Sequence, residues 1–84
     1  DYDNTVLYIR LIRKLLDKSA HEYRKKYEGA SRRIDDMKMG INLLIAARRI
    51  AMVLNDSEAS ESIRKEALVW KQKMESDQKA GSSS

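Results

Sequence analysis

Cysteine, proline and phenylalanine are absent from this sequence of 84 residues, and glycine occurs only three times. The lack of cysteine excludes disulfides and thiolate metal sites, and it fits a reducing compartment. With no proline and few glycines, little in the chain interrupts a helix. Leu, Ile, Ala, Met, Lys, Arg and Glu make up most of the sequence, and these are mainly helix-favouring residues. The composition therefore predicts an all-α protein.

Long hydrophobic runs are also missing. The longest apolar stretch, residues 41–54, is shorter than the roughly 18–20 residues that span a bilayer, and it contains Arg48 and Arg49. We expect no membrane span, and no secretory signal is recognisable. The first residue is Asp1 rather than Met, so we expect a trimmed or processed chain. Together with the missing cysteines, these features predict a cytoplasmic location.

Apolar residues recur at spacings of three and four in three segments, which predicts three amphipathic helices. We place these helices at about residues 4–28, 31–54 and 57–77. They form a single predicted domain over residues 1–79, followed by a flexible tail, AGSSS, at residues 80–84. The short connections predict an antiparallel helical hairpin plus a third amphipathic helix, similar to a three-helix bundle. Because so short a chain buries a modest core, oligomerisation is one way to complete it.

The predicted core has one apolar stripe on each helix. On the first helix the stripe is formed by Tyr8, Ile12, Leu15, Ser19, Tyr23 and Tyr27. On the second helix it is formed by Ile34, Met37, Ile41, Leu44, Ala51 and Leu54. On the third helix it is formed by Ala59, Ile63, Ala67, Trp70 and Met74.

Small residues mark the predicted helix ends and one position inside a helix. Gly29 is expected to end the first helix in the left-handed conformation, and Ser31 is expected to cap the second helix. Gly40 lies in the middle of the second helix, where it costs about 1 kcal/mol relative to alanine. A close approach of two helices and a neutral accident are both consistent with that glycine.

The second half of the predicted second helix is apolar on nearly all sides, which indicates that more than one neighbour covers it. The third helix covers one side, and we expect a partner chain on another. The expected partner interface is formed by Ile45, Arg48, Arg49, Met52 and Val53. Arg48 falls on the apolar stripe, so it needs a carboxylate from Asp17 or from a partner unless its guanidinium extends to the solvent.

Residues suited to catalysis are scarce, since the chain has a single histidine, His21. The sequence HEYRK begins as the zinc motif HExxH does, and it lacks the second histidine. Asp17 lies four residues before His21, so a solvated Asp–His pair on one helix face is the simpler interpretation. The sequence shows no glycine-rich phosphate loop and no Ser-His-Asp pattern. We therefore expect no metal site, no cofactor and no enzymatic activity.

Positive charge is concentrated where the first two helices meet, within a chain of net charge +4. Arg32 and Arg33 lie at the predicted start of the second helix, where positive charge is locally unfavourable, and this hints at a bound anion. The tyrosines nearby are expected either to stack on nucleic-acid bases or to close the end of the bundle. The candidate anion-binding or nucleic-acid-binding residues are Ser31, Arg32, Arg33, Arg24, Lys25, Lys26, Tyr23 and Tyr27.

Two segments together carry a resemblance to a known group of proteins. DYDNTVLYIRLIRKLL, residues 1–16, is followed by DDMKMGINLL, residues 35–44. Over about residues 1–55 the chain resembles small helical bacteriophage proteins with no assigned function. Their second helix reads roughly Asp-Ile-x-x-Ala-Ile-x-Leu-Leu, and the matching residues are Asp36, Met37, Gly40, Ile41, Leu43 and Leu44. The resemblance implies a viral interaction protein acting in the host cytoplasm, and it carries no catalytic residue.

Two functions are consistent with these patterns. The first is a small helical protein–protein interaction module, acting as an adaptor, an inhibitor or a self-associating protein. The alternative is binding of nucleic acid, a nucleotide or another anion at the basic corner between the first two helices. The expected partner is therefore a protein or a second copy of the chain, with nucleic acid as the alternative.

Overall fold

Three helices joined by two short connections make up residues 2–82, which are the residues that the computed structural model describes. Helix α1 spans Tyr2–Lys26, α2 spans Ile34–Val53 and α3 spans Ser57–Ser82. A π-helical turn, Tyr27–Ser31, extends α1. No strand occurs within the described residues. The prediction of an all-α fold, with a helical hairpin and a third helix, is confirmed.

The observed helix ends differ from the predicted ones. Helix α2 begins at Ile34 instead of residue 31, because the π-helical turn occupies the intervening chain. Helix α3 continues to Ser82 instead of residue 77, so it enters the stretch predicted as a tail. Residues 83 and 84 of that tail lie outside the described part of the chain. Among the helices of residues 2–82, none combines the length and the apolar content needed to cross a bilayer.

The α1–α2 connection reverses direction at Arg32, and the prediction that Gly29 ends α1 in the left-handed conformation is wrong. Gly29 lies inside the π-helical turn, and Arg32 takes the left-handed conformation with φ 53°. The amide of Arg32 donates to the carbonyl of Tyr27 over 3.0 Å, which closes the wide turn. Because the turn continues the helix past Gly29, the reversal falls on an arginine, for which this conformation is unfavourable.

The α2–α3 connection follows the sequence pattern more closely. Asn55 takes the left-handed conformation with φ 57° after the last residue of α2, a position that asparagine tolerates well. The Asp56 carboxylate then accepts a hydrogen bond from the amide of Ala59 over 3.1 Å. This is the usual N-cap geometry, so Asp56 is the residue that caps α3.

Helix α2 lies between the other two helices and runs antiparallel to both. Within the described residues, α1 and α3 each pack along α2, and they reach each other only through side chains. The Cα positions extend over 56 × 22 × 13 Å, so the assembly is long and flat. Side chains of α3 reach α1 across one broad face of the α1–α2 hairpin, so the two faces of the hairpin are unequally covered.

The core follows α2 along its length. Its buried apolar residues are Ala20, Tyr27, Met37, Ile41, Leu44, Ala47, Ala51, Ile63 and Trp70. Trp70, Met37 and Leu44 are the largest fully buried side chains. The predicted stripes of α2 and α3 therefore supply most of this core, with Ile34, Ala59, Ala67 and Met74 packed at its margin.

The predicted stripe of α1 is wrong over its first half. Tyr8, Ile12 and Leu15 are 66%, 47% and 53% exposed, although the spacing assigned them to the core. Ala20 is fully buried, and Leu16 packs against the core. Because α1 is apolar over more than half of its circumference in this region, two overlapping stripes were available, and α2 contacts the other one.

Gly40 marks a close approach of all three helices. A Cβ atom at this position would lie 3.1 Å from the carbonyl oxygen of Ala20, 3.2 Å from Cζ3 of Trp70 and 3.6 Å from Cβ of Tyr23. The first two distances are tighter than ordinary van der Waals contact. Of the two interpretations of this glycine, the structure therefore favours the close helix–helix approach.

Candidate functional site

A cluster of polar side chains joins α1 to α3 near the middle of both helices. His21 Nδ1 lies 2.8 Å from the carbonyl oxygen of Asp17, and Nε2 lies 3.3 Å from Oε2 of Glu66. The imidazole also packs edge-on against Trp70, with ring centroids 5.1 Å apart. Since a carbonyl oxygen only accepts hydrogen bonds, Nδ1 carries the proton. Nε2 then donates to Glu66 when the ring is protonated.

The protonated form of His21 is favoured by this arrangement. The hydrogen bond to the Asp17 carbonyl raises the pKa of His21 above its usual 6.5, and the carboxylates of Glu66 and Asp17 raise it further, while burial opposes them. One ligand atom from each of the three residues lies within 4.8 Å of the other two. However, the Asp17 carboxylate lies beside Nδ1, 3.8 Å away, on the side of the ring that is already hydrogen-bonded. The cluster therefore fits an imidazolium between two carboxylates better than a tetrahedral zinc site.

A second polar contact joins α1 to α3 near the α1–α2 connection. Tyr27 is 3% exposed, and its hydroxyl donates to Oδ2 of Asp77 over 2.5 Å. The other oxygen of Asp77 accepts from Lys73 Nζ over 2.9 Å. The Tyr27–Asp77 hydrogen bond, together with burial of the hydroxyl and the negative charge of Asp77, raises the pKa of Tyr27 from 10.0 to about 12. It also lowers the pKa of Asp77 below 3.8, and the positive charges of Lys73 and Arg32 contribute in the same direction.

Replacing Tyr27 with phenylalanine is expected to lower the melting temperature near neutral pH by about 5 °C, the shift that loss of roughly one hydrogen bond causes in a domain of this size. The depressed pKa of Asp77 contributes stability that is present above pH 3.8 and is lost as the pH falls through the folded-state value. The difference between wild type and Tyr27→Phe should therefore narrow at about pH 3. Thermal unfolding followed by circular dichroism at both pH values measures this.

Tyr8→Phe is the matched control for Tyr27→Phe, because Tyr8 is 66% exposed and on the outer side of α1. It should leave the melting temperature unchanged at both pH values. An equal effect of the two substitutions, or a Tyr27→Phe effect that does not depend on pH, would contradict the role given to the Tyr27–Asp77 hydrogen bond.

The candidate anion-binding residues divide into two groups in the structure. Four of them take part in contacts within the domain. Tyr27 is buried, Tyr23 is half-buried, and Arg24 lies 5.1 Å above the Trp70 ring while it also pairs with Glu28. Ser31 Oγ donates to Asp36 over 2.5 Å and accepts from the amide of Arg33 over 3.2 Å.

The other four candidates are exposed cations at the same corner, namely Lys25, Lys26, Arg32 and Arg33. The residue that begins α2 as its N-cap is Arg33, and Ser31 stabilises the turn before it. Asp35 and Asp36 occupy the first turn of α2, where carboxylates offset the positive end of the helix dipole. A basic surface is therefore present at the corner. The buried Tyr27 offers no ring face for stacking, and the Ser31 hydroxyl, which the anion site was expected to use, is already hydrogen-bonded within the domain.

The predicted partner-interface residues lie on the surface of the second half of α2. Ile45, Met52 and Val53 are 40%, 54% and 68% exposed, and Arg49 is exposed as well. At about 100° per residue, the five residues fall within about 140° of one another on α2. Ile45, Arg48 and Arg49 also line a groove beside α3.

Arg48 is half-buried between α2 and α3, and its Nε atom is buried without a hydrogen-bond partner. It lines the groove that also contains Ile63 and Arg64. Asp17, the predicted partner, pairs with His21 instead. The positive charge of Arg48 acts on Glu61 of α3, where it contributes to lowering the pKa of that carboxylate after the larger effect of Arg64.

An exposed apolar surface lies on the side of α1 that faces away from α3. At about 100° per residue, Tyr8, Ile12 and Leu15 fall within about 60° of one another on the helix. Arg13 and Asp17, which line a groove with α3 residues, lie roughly 150° away. The three apolar side chains therefore belong to the face of the hairpin that α3 leaves uncovered.

Helix α2 continues the same apolar surface. Met39, Leu43 and Ile50 fall within about 40° of one another, and Arg48, which lines the groove beside α3, lies roughly 160° away. Because α1 and α2 run antiparallel, both sets lie on the same side of the hairpin. We call this surface the open face, and it consists of Tyr8, Ile12, Leu15, Met39, Leu43, Ala46, Ile50 and Val53.

Five residues of the open face are at least 44% exposed: Tyr8, Ile12, Leu15, Met39 and Val53. Leu43, Ala46 and Ile50 are half-buried. Only Val53 was predicted to lie at an interface. The signal that could have revealed the others is the excess of apolar positions on α1, which is more than one packed side can cover.

Comparison with known proteins connects the chain to one family. A family model described as the TP0443 family matches residues 1–78, which is nearly the whole chain. None of the curated proteins and none of the solved structures compared with the chain matches it. The family description mentions no bacteriophage, so the resemblance to phage proteins stays a prediction. The match over residues 1–78 establishes that the chain is a member of the TP0443 family.

Proposed function

We propose that this chain is a small helical protein–protein interaction module that binds its partner through the open face. The observation that carries the proposal is the exposed apolar surface shared by α1 and α2, opposite α3. Monomeric proteins rarely expose a contiguous apolar surface of this kind unless it is an interaction site. Its residue types, with a tyrosine and a methionine among branched aliphatic side chains, are typical of interface centres.

The arrangement of the helices supports the same proposal. In four-helix bundles a pair of helices is covered on both sides, whereas here α3 covers the hairpin on one side. A further helix on the open face would complete such a bundle. A binding role also agrees with the expectation from the sequence that the chain is not an enzyme.

The basic corner is the basis of the alternative proposal, binding of nucleic acid or another anion. Lys25, Lys26, Arg32 and Arg33 are its exposed cations. This alternative has less support, because the buried Tyr27 offers no ring face for stacking. The cytoplasmic location and the viral origin suggested by the sequence stay predictions.

Site-specific photo-crosslinking in the cells that naturally produce the chain tests the proposal. A photo-reactive amino acid at Val53, 68% exposed on the open face, should give a discrete adduct with another polypeptide. The same group at Lys71, exposed on the outer side of α3, should not. The double variant Ile12→Ser/Leu15→Ser should reduce the Val53 adduct by about tenfold or more, because it removes apolar area from the centre of the face.

The control for that double variant is Leu68→Ser/Val69→Ser on α3. Its side chains are 48% and 55% exposed, close to the 47% and 53% of Ile12 and Leu15. Both variants should remain folded by circular dichroism, and the α3 variant should keep the adduct. Equal adducts from Val53 and Lys71, or loss of the Val53 adduct in both variants, would argue against the open face as the binding surface.

A further inference from the structure

We infer that the occupant of the open face is an amphipathic helix of another protein, with acidic residues along both of its polar edges. This inference rests on the proposed function and adds the chemistry of the partner. Its basis is the charge along the two outer edges of the α1–α2 hairpin.

Basic side chains are the majority of the charged residues on both edges, which also carry the exposed apolar residues Leu7, Leu11, Ile45 and Met52. On α1, the edge away from α2 carries Lys14, Lys18, Glu22 and Lys25. On α2, the edge away from α1 carries Asp35, Lys38 and Arg49. All seven side chains are exposed, five of the seven are basic, and within residues 2–82 none of the seven forms an ion pair. The open face is therefore flanked on both sides by charged residues that are mainly basic and that form no ion pair within residues 2–82.

A second copy of the chain is a poor match for this surface. If two open faces meet about a two-fold axis parallel to the helices, the α1 edge of one copy lies over the α2 edge of the other. If the axis runs across the helices, the α1 edges lie over each other. Both arrangements bring basic edges together, and like charges facing each other across an interface oppose association.

A helix with acidic edges matches both the apolar strip and the mainly basic edges of this surface. Its apolar stripe would pack on the open face, and its carboxylates would lie beside Lys18 on one side and Lys38 on the other. The open face runs from Met39 to Val53 along α2, which is about 21 Å at 1.5 Å per residue. A helix of about 15 residues, or four turns, matches that length.

Two synthetic peptides of about 18 residues provide the probe. Both carry the same stripe of leucine and alanine, and they differ only in having glutamate or lysine along both edges. Fluorescence anisotropy at about 50 mM salt should give a Kd for the glutamate peptide about tenfold lower than for the lysine peptide. This ratio should fall towards one at about 500 mM salt, since the edge charges are exposed and screened.

Three double variants locate the binding. Lys18→Glu/Lys38→Glu should remove or reverse the preference for the glutamate peptide, whereas Lys65→Glu/Lys71→Glu on α3 changes the net charge equally and should preserve it. Ile12→Ser/Leu15→Ser should weaken binding of both peptides, because the two peptides share the apolar stripe.

The outcomes separate this inference from the proposed function. Equal affinity for the two peptides, or preference for the lysine peptide, overturns the acidic-edge inference and leaves the open face as an interaction surface. If sedimentation shows a dimer at micromolar concentration, and Ile12→Ser/Leu15→Ser abolishes that dimer, the open face binds a second copy of the chain. This result overturns the inference. If the chain binds neither peptide but binds vesicles of phosphatidylcholine and phosphatidylglycerol, and Lys18→Glu/Lys38→Glu abolishes that binding, the open face contacts a membrane surface. This result overturns the acidic-edge inference. Failure to bind either peptide, together with no Val53 photo-adduct and a strict monomer, overturns the proposed function as well.

Discussion

Replacing Trp70 with alanine should lower the free energy of unfolding by about 3–5 kcal/mol, the usual effect of removing a large aromatic side chain from a core. Trp70 is 1% exposed and is the largest fully buried side chain. It approaches Gly40 of α2, and it contacts His21 and the Arg24 guanidinium of α1. Since one side chain of α3 packs against both other helices, its removal weakens both contacts.

The measurement for Trp70→Ala is urea unfolding followed by circular dichroism, because the substitution removes the tryptophan fluorescence. A small domain has a total stability of about 5–15 kcal/mol, so the variant should lose a large part of its stability. Leu68→Ala, at a side chain that is 48% exposed, is the control and should change the stability by less than about 0.5 kcal/mol. A loss below about 1 kcal/mol for Trp70→Ala would contradict the packing of α3 described above.

Replacing Gly40 with valine should destabilise the fold by about 2–3 kcal/mol, as overpacking of a tight core contact does. The first added atom would already lie 3.1 Å from the Ala20 carbonyl oxygen and 3.2 Å from the Trp70 ring. The carbonyl belongs to the backbone of α1, so it cannot move aside as the end of a flexible side chain would. Urea unfolding of the variant measures the effect, and far-UV circular dichroism in the absence of urea checks that the helices remain.

Gly29→Ala is the matched control for Gly40→Val. No heavy atom lies within 4 Å of a Cβ placed on Gly29, and its φ is not positive. This substitution should therefore stabilise the fold by roughly 0.5–1 kcal/mol, through the lower entropy of the unfolded chain. We expect Gly40→Val to lower the stability and Gly29→Ala to raise it. If Gly40→Val is as well tolerated as Gly29→Ala, α1, α2 and α3 do not approach one another as closely as the structure has them.

Helical periodicity was sufficient to predict the class of fold and most of the core. The stripes of α2 and α3 contain Met37, Leu44, Ile63 and Trp70, which are buried, and Asp56 caps α3 as its residue type suggests. These elements were predictable because each of the two helices has a main apolar stripe at helical spacing, and because aspartate is a favoured N-cap residue. The all-round apolar second half of α2 also indicated correctly that more than one neighbour packs on it.

The side of α1 that packs on α2 was not predictable in the same way. Ala20 is fully buried, although alanine is only weakly hydrophobic. Tyr8 and Ile12 are larger, and they are exposed. Both stripes have helical spacing, so spacing alone does not decide between them. The open face was missed for this reason, because its α1 residues had been assigned to the core.

The α1–α2 corner depended on a feature without a clear sequence signal. A π-helical turn carries the helix past Gly29, and the left-handed residue becomes Arg32. Local preferences favoured glycine for that conformation. The hydrogen bond from Ser31 to Asp36 and the anchoring of Tyr27 by Asp77 involve residues five and fifty positions apart, and only the assembled fold brings them together.

Because α1 packs on α2 and α2 packs on α3, each pair of helices whose backbones pack together is also consecutive along the chain. No long loop has to close before the first stable contacts form, and the loss of chain entropy on forming each interface is small. Domains with such local topology fold rapidly, on the order of microseconds to milliseconds. Newly made chains therefore spend little time with the buried face of α2 accessible to other proteins, while the open face remains accessible after folding is complete.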